Sequence, residues 1–459
     1  MQNLELAYQE ALDYIYSFID YSLKRNLRNA EAIFKLERMV RFMHLLGDPQ
    51  NKYKIIHVAG TKGKGSVAAF CAHALQTAGY SVGLYTSPHL QDFTERIQVN
   101  GEEISKETLV RLVNFMKPFV QQVPEVTTFE LTTALGFLYF LEMNIEVAVL
   151  EVGLGGRLDA TNIVEPLVSV ITSISYDHEA VLGNTLSKIA FEKGGIIKQG
   201  RPVVIAPQKE AVRKRLKQLC EERDAPLIEV GKDVMFAAGS HMLDAQTLFL
   251  WTREEQPLMD AYTQIDGKSV WSPLQLTISL LGYHQVINAA TAYTALRIAD
   301  DNGLKISTQA IVEGFAKTFW PGRFELLRRD PPVIIDSAHN TDSCQRLLEA
   351  IDDYFPGVPF ILVFGVSADK DIDGMLEALI PRIKKVITSQ SVHPRAMDAR
   401  ELLALVQKHN NLTPSEAIVP IEKALQTALL AAGNEVGIIV TGSLFLAAAG
   451  RAVWPSLRH

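Results

Sequence analysis

The sequence predicts an α/β protein of two domains, each built on a buried parallel sheet, with the larger domain first. Three observations carry that reading. Short apolar runs, KIIHV, SVGLYT, EVAVLEVG, LVSVITSI and RPVVIA, alternate with helix-length segments such as SVAAFCAHALQTAG. Runs that are apolar on both faces suit strands covered by helices on either side. A second series, PVIIDSAHN, PFILVFGVS, KKVITSQ and EVGIIVTG, follows WPGRFE and again alternates with helical text such as DSCQRLLEAIDDYF. Between the two series, Trp320-Pro321-Gly322 breaks a mostly helical stretch that starts near Leu280, because proline cannot continue a helix and glycine permits unusual dihedrals. The boundary is placed there, giving domains over 1–320 and 321–459.

Composition narrows the class. A chain of 459 residues, 47% hydrophobic and 21% charged, has ordinary globular make-up with room for more than one core. A formal net charge of -7 argues against general nucleic-acid binding, which draws its affinity from Lys and Arg. The longest uncharged stretch lies between Glu435 and Arg451. It is shorter than the roughly 20 apolar residues of a membrane span, and Gly437, Gly442 and Gly450 punctuate it, so it reads as a strand and a helix. Cys71, Cys220 and Cys344 are far apart and form no C-x-x-C pair, which fits a reducing compartment. The opening MQNLELAYQEALDYIYSF mixes acidic and apolar residues without a basic n-region and reads as an amphipathic helix, not a leader. The expectation is a cytoplasmic protein. The polar region from about Val234 to Gln275 reads as an antiparallel β insertion or an irregular excursion.

The stretch VAGTKGKGSVAAF, Val58 to Phe70, sets three glycines and two lysines between an apolar strand and a helix. A glycine-rich turn at such a junction can wrap its N–H groups around phosphate oxygens, and the helix N-terminus adds the positive end of its dipole. Gly60, Thr61, Lys62, Gly63, Lys64, Gly65 and Ser66 form the candidate ATP loop, with Lys64 placed for the outer phosphates and the Ser66 hydroxyl for a magnesium ion. The spacing departs from the strict Walker pattern, since Gly65 intervenes between Lys64 and Ser66. A purely structural glycine turn is the alternative. The first domain is therefore expected to be P-loop ATPase-like, and the second a smaller Rossmann-like α/β domain.

The loop G-T-x-G-K-G-S resembles that of the Mur ligases, and further landmarks narrow the resemblance to the folylpolyglutamate synthase and dihydrofolate synthase family. In order these are TSPHL, TERIQVNG, TTFELTT, LEVGLGGRLDATN, TSISYDHEAVLG, FEKGGIIK, HQVINAA, WPGRFE and DSAHN, spanning most of the chain. The resemblance implies ATP-dependent amide formation. A folate or dihydropteroate carboxylate is phosphorylated, and the amino group of L-glutamate displaces phosphate from the acyl phosphate. Two anions must meet in that reaction, so divalent cations and positive donors are needed.

By the same resemblance, Ser66, Ser87, Glu151 and His178 would hold Mg2+. Hydroxyl and carboxylate oxygens suit a hard cation, while imidazole is less usual, so His178 rests on the family match. Lys193 matches a lysine that many Mur ligases carry as a carbamate, the other reading being a solvated helix lysine. Arg323, Asp336 and His339 would reach the nucleotide and phosphates from the second domain, with domain closure completing the site, and Asn288 would contact the adenine side. His339 joins Lys64 and Lys193 as a catalytic candidate. Helix capping is the alternative for Asp336. On the folate side the resemblance points to Thr127, Thr128, Phe129 and Glu130 with Leu158, Asp159 and Ala160. An aromatic ring for stacking and a carboxylate for paired N–H donors suit a pterin, whereas Phe129 alone would read as core. Ser87-Pro88-His89-Leu90 and Arg96 would shape the same wall.

The chain departs from the family pattern in four places. Lys62 stands where Asn is usual, Gly194 where Ala is common, and Ser337 where Gly is usual. The segment 21–31 does not align clearly with the folate-binding N-terminus of bifunctional members. The expected function is glutamate ligation to folates and also to dihydropteroate, by a monomer acting on small molecules, without nucleic acid or membrane. A monofunctional folylpolyglutamate synthase is the alternative, and a Mur-type ligase with a non-folate acceptor stands behind it.

Overall fold

The computed structural model describes residues 2–18, 35–264 and 270–457. The divergent segment 21–31 lies outside the described residues. Those described fall into two compact units, one within Met1–Gly239, Thr247–Ile278 and Val286–Thr318, the other within Ser240–Gln246, Ser279–Gln285 and Phe319–His459. No single cut in the chain separates them, because the second unit also takes in 240–246 and 279–285.

The first unit is organised by an eight-stranded sheet. Its strands are β1 (Lys54–Ala59), β2 (Val82–Tyr85), β3 (Ile97–Val99), β4 (Glu102–Glu103), β5 (Val147–Glu151), β6 (Val168–Ile171), β7 (Val203–Ile205) and β8 (Leu227–Glu229), in the order β4-β3-β2-β5-β1-β6-β7-β8. All pairings from β2 to β8 are parallel, and the β2/β3 and β3/β4 pairs are antiparallel. The apolar runs KIIHV, SVGLYT, EVAVLEVG, LVSVITSI and RPVVIA supply β1, β2, β5, β6 and β7, and β1, β2, β5 and β6 are buried along almost their whole length. Strand β1 lies between β5 and β6, so the chain leaves β1, β5 and β6 side by side at the carboxyl edge of the sheet, where open α/β sheets gather ligands.

Helix Lys64–Thr77 follows β1 directly and buries Val67 to Ala72. It meets helix Thr308–Ala316 at very short range. The Phe70 and Phe315 rings lie 4.7 Å apart, and a Cβ on Gly314 would fall 2.6 Å from the Ala74 α-carbon. Alanines on one helix and glycine on the other allow that approach, which anchors the helix whose N-terminus faces the candidate ATP loop. Helix Thr128–Glu142 is apolar nearly all round and correspondingly buried.

The region read as a β insertion contains β9 (Val234–His241), β10 (Gln246–Thr252) and β11 (Leu274–Ile278), in the order β11-β10-β9. Residues 242–245 join β9 to β10 as a hairpin, closed by Met242 N–H donating to Ala245 O at 2.8 Å. A helix, Gln256–Gln264, lies between β10 and β11.

The second unit has its own six-stranded sheet of β12 (Glu325–Arg329), β13 (Pro332–Ile335), β14 (Phe360–Phe364), β15 (Ile383–Thr388), β16 (Ser415–Ala417) and β17 (Gly437–Thr441), ordered β12-β13-β17-β14-β15-β16. Only β12 runs antiparallel. The predicted strand and helix between Glu435 and Arg451 are β17 and helix Leu444–Val453. The fold class is thus the one expected: two α/β units on largely parallel sheets. Among the described residues, no helix is long and apolar enough to cross a membrane.

Candidate active site

The loop after β1 is held open by bonds to the loop after β6. Gly60 leaves the strand with φ of 147°, and a Cβ there would sit 1.8 Å from the Thr172 hydroxyl oxygen. Thr61 and Lys62 donate their N–H groups to Ser173 O at 2.9 and 3.2 Å. The Thr61 hydroxyl donates to Ser175 O and accepts from Ser175 N–H, both at 3.2 Å. Gly63 has φ of 89°, and a Cβ there would lie 2.2 Å from Asn288 Oδ1. Both glycines are thus required twice over, by backbone conformation and by contact. Gly60→Ala is expected to cost roughly 2–4 kcal/mol of stability, read as a lowered midpoint in denaturant.

Gly63 is the N-cap of helix Lys64–Thr77, and no side chain caps that helix. The first-turn amides and the dipole therefore present a site for an anion. Ser66 is buried in this turn. Lys64 Nζ lies 3.8 Å from Glu151 Oε1 at the end of β5, and the other oxygen of Glu151 accepts from Ser87 N–H at 3.2 Å. Lys62, in the same loop, pairs with Asp177 at 3.2 Å. His178 follows in the left-handed region, φ 50°, with Nε2 3.8 Å from Asp177 Oδ1.

Lys193 ends helix Leu186–Lys193 and is 4% exposed, so it is not a solvated helix lysine. Its Nζ donates to Gly60 O at 2.8 Å. Burial, then the nearby charge of Lys64 and more weakly Lys62, pushes its ammonium down to about 7, against the opposing pull of Asp177 and Asp159. Gly194 follows, where a Cβ would come within 2.5 Å of the Leu219 side-chain end.

The residues expected on the folate side form one wall of the first unit. Thr127 caps helix Thr128–Glu142 in a capping box with Glu130. Glu130 accepts from Thr127 N–H and the Thr127 hydroxyl at 2.8 and 2.9 Å, and both of its oxygens accept from Arg38 Nε at 2.9 Å. Thr128 donates its hydroxyl to Ile15 O and Phe18 O. The Arg38–Glu130 pair is almost fully buried. Arg38→Met is expected to destabilise by about 3–5 kcal/mol, because Glu130 would stay buried without its counter-charge; equilibrium unfolding checks this.

Phe129 lies over the loop after β5, where a Cβ on Gly153 would meet its ring at 2.4 Å. Asp159 staples that loop. Its Oδ2 accepts from Gly153 and Leu154 N–H at 3.1 and 3.0 Å, and its Oδ1 from Thr161 N–H at 3.0 Å and the Thr161 hydroxyl at 2.5 Å. Burial raises its carboxyl against these bonds. Asp159 thus already accepts four hydrogen bonds from the protein, the usual capacity of a carboxylate, and Glu130 accepts from three donors, Arg38 Nε–H being shared between its two oxygens. Ala160 is buried at the start of the short 3-10 turn Ala160–Ile163, and Leu158 precedes it. On the neighbouring segment, Arg96 Nε donates to His89 Nδ1 at 2.8 Å.

In the second unit, Asp336 follows β13 and accepts from Phe324 and Ala338 N–H, both at 2.8 Å. It does not cap the next helix; Asn340 does, its side chain accepting from Ser343 N–H. The capping alternative for Asp336 is thereby corrected, because the strand-to-helix loop runs four residues past it before the helix starts. Ser337, in place of the usual glycine, donates its hydroxyl to Gly322 O at 2.7 Å and so ties the DSAHN loop to the WPGRFE turn. His339 Nδ1 lies 2.9 Å from Ser337 O, and Arg323 sits in the same turn as Gly322.

The first unit thus gathers the loop 60–66 with Asn288, Lys193, Glu151 and Ser87, and the second gathers Arg323, Asp336 and His339. Among the described residues no cluster of three His, Cys, Asp or Glu side chains converges as a metal cage. Sequence reasoning missed Thr172, Ser173 and Ser175 as the clasp of the loop, although they stand within the TSISYDH string. It also missed Arg38, which no sequence motif marks.

A glycine-rich loop at the centre of a parallel sheet, opening on an uncapped helix with lysines and a carboxylate beside it, fits the class of nucleotide-dependent α/β enzymes. The comparisons define which. Residues 58–296 match the Mur ligase middle domain and 322–444 the Mur ligase glutamate ligase domain. A dihydrofolate synthase/folylpolyglutamate synthase of Bacillus subtilis is 36% identical over 449 residues, 96% of this chain and 97% of that one. The folylpolyglutamate synthase of Thermotoga maritima superposes with a TM-score of 0.82 at 32% identity, over 99% of this chain and 98% of that one. E. coli FolC in complex with DHPP and ADP superposes with a TM-score of 0.84 at 28% identity, over 98% of each chain. The chain belongs to the Mur ligase family, in its folylpolyglutamate synthase/dihydrofolate synthase branch.

Proposed function

We propose that the chain joins L-glutamate to folates and to dihydropteroate at the expense of ATP, through an acyl phosphate. The observation that carries this reading is the arrangement around Gly60: uncapped helix amides, Lys64 against Glu151, and a buried Lys193 on the Gly60 carbonyl. Full-length similarity to synthases of both substrates supports the choice of acceptor, and the ADP bound in E. coli FolC supports the choice of nucleotide.

The loop amides and Lys64 hold the outer phosphates, and the acceptor carboxylate attacks the γ-phosphorus as ADP leaves. Lys64 then offsets charge on the transferred group while glutamate nitrogen adds to the acyl carbon and phosphate departs. Ser66, Ser87 and Glu151 offer hard oxygens and His178 an imidazole. This open donor set suits Mg2+, which keeps waters and substrate oxygens in its shell. Held by these residues, Mg2+ would supply positive charge between the two anions. Asn288 serves the adenine side; Arg323, Asp336 and His339 serve the nucleotide and its phosphates.

Lys193 is proposed to carry a carbamate. Its lowered proton affinity leaves neutral amine available near neutral pH, and adding CO2 forms an N–C bond with loss of one proton. The resulting anion would face Lys64 and Lys62, whose charge disfavours the ammonium form. On the acceptor side, Phe129 over Gly153 forms the stacking wall, while Thr127, Thr128, Glu130, Leu158, Asp159 and Ala160 fix its shape. The enzyme is proposed to act as a cytoplasmic monomer, and its negative net charge supports independence from nucleic acid.

Phosphate release tests the proposal. Release that requires ATP, glutamate and a pteroate or folate together is expected. Release from ATP alone, or with glutamate and a peptidoglycan precursor instead, would contradict it.

A further inference from the structure

We infer that His57 is a positioning residue for the acceptor side of the site, acting through the Thr161 hydroxyl on Asp159. The inference rests on reading the Phe129–Gly153 wall as part of the acceptor pocket.

His57 sits in β1, in the middle of the sheet, and is 0% exposed. Its buried neighbours along the strand, Ile55, Ile56, Val58 and Ala59, are all apolar. An aliphatic side chain would pack there without leaving a polar atom unmet, yet the histidine keeps a buried Nδ1 with no hydrogen-bond partner among the described residues. What the ring does engage is Thr161, with Nε2 2.9 Å from Oγ1.

The proton positions along this contact follow from its far end. Asp159 meets three backbone N–H groups, which can only donate, and the four donors around its two oxygens favour the ionised carboxylate against the burial that raises its carboxyl; it is taken as that acceptor. The Thr161 proton is then committed to Asp159, leaving the threonine oxygen to accept from His57. The ring must carry its proton on Nε2, and the bare Nδ1 is the nitrogen left without a partner. Burial keeps the imidazole neutral, its pKa pushed down to about 3.

The chain ends where the acceptor would lie. Asp159 Oδ2 holds the Gly153 and Leu154 amides, and Gly153 is the surface on which the Phe129 ring rests. His57 therefore links the strand that opens the phosphate loop, three residues before Gly60, to the platform under Phe129. A histidine that only filled space would affect stability without distinguishing the two substrates.

Steady-state kinetics on the full-length chain separates these roles, using His57→Leu, His57→Gln, Thr161→Val, Thr161→Ser and the His57→Leu/Thr161→Val double variant. His57→Leu and Thr161→Val are each expected to raise the acceptor KM about tenfold and to leave the ATP KM within about twofold. The double variant should be no worse than the poorer single one, since both cut the same link. His57→Gln, which retains an N–H donor near the Nε2 position, and Thr161→Ser should recover most of the loss. Unchanged acceptor KM, parallel rises in both KM values, or additive losses would overturn the inference. If His57→Leu does not fold, the Thr161→Val and Thr161→Ser pair decides, because its changes are smaller. Wild-type protein that makes no amide product from either acceptor would overturn the functional reading, and this inference with it; an active wild type with an indifferent His57 would overturn this inference alone.

Discussion

Lys64→Ala is expected to lower turnover by about 10³-fold while leaving the circular dichroism and unfolding midpoint close to those of the wild type. The lysine stands in the first turn of helix Lys64–Thr77, 3.8 Å from Glu151. Its removal takes away the positive charge that meets the transferred phosphoryl group and leaves Glu151 repelling that group. Backbone amides still bind the nucleotide, so the loss should fall mainly on kcat. Product formation under saturating ATP measures it, and a fully active variant would show that the loop does not handle the reacting phosphate.

The second large effect belongs to Lys193. Lys193→Ala is expected to reduce kcat by roughly 10²–10³-fold, with partial recovery in millimolar acetate or propionate, which can place a carboxylate where the carbamate would stand. Short amines should give no recovery. The pH dependence has a definite sign. With the amine lowered to about 7, the neutral form that accepts CO2 grows as pH rises through 7, so activity should climb on that limb and respond to added bicarbonate.

Stability follows the same direction in the uncarbamylated protein. Between about 7 and the ordinary 10.5, the unfolded chain holds a proton on this lysine that the native chain has lost. Stability contributed by Lys193 therefore rises with pH across that window. Lys193→Met should flatten the slope, which unfolding curves collected at several pH values would reveal.

Much of this was legible in the sequence, for identifiable reasons. Strands buried on both faces announce themselves as unbroken apolar runs, and β1, β2, β5, β6, β7, β13, β14, β15 and β17 all fall where such runs stand. Strands β3, β4, β8, β12 and β16 are less legible because they lie at or near the sheet edges and carry polar residues such as the glutamates of β4 and the arginines of β12. The strand-to-helix turn at 60–66 was legible because glycine chemistry is local. Gly60 and Gly63 are needed by their own backbone, and their spacing shows it.

Interactions between distant segments left fainter marks. Nothing near Arg38 indicates that it would pair with Glu130, 92 residues away. Nor does anything near Lys62 indicate that Asp177, 115 residues on, would pair with it. Likewise, Asp159 reads in sequence as a free carboxylate, whereas the folded loop fills its lone pairs with the amides of Gly153, Leu154 and Thr161. Residue type indicates what a side chain is able to do; only the fold decides which partner has already claimed it.

The most direct test of the central claim is the mass of the product formed by purified protein with ATP, Mg2+ and L-glutamate, given dihydropteroate in one reaction and a reduced folate monoglutamate in the other. The account predicts a product heavier by one or more glutamate residues in both, each dependent on ATP. No glutamylated product in either reaction would contradict it.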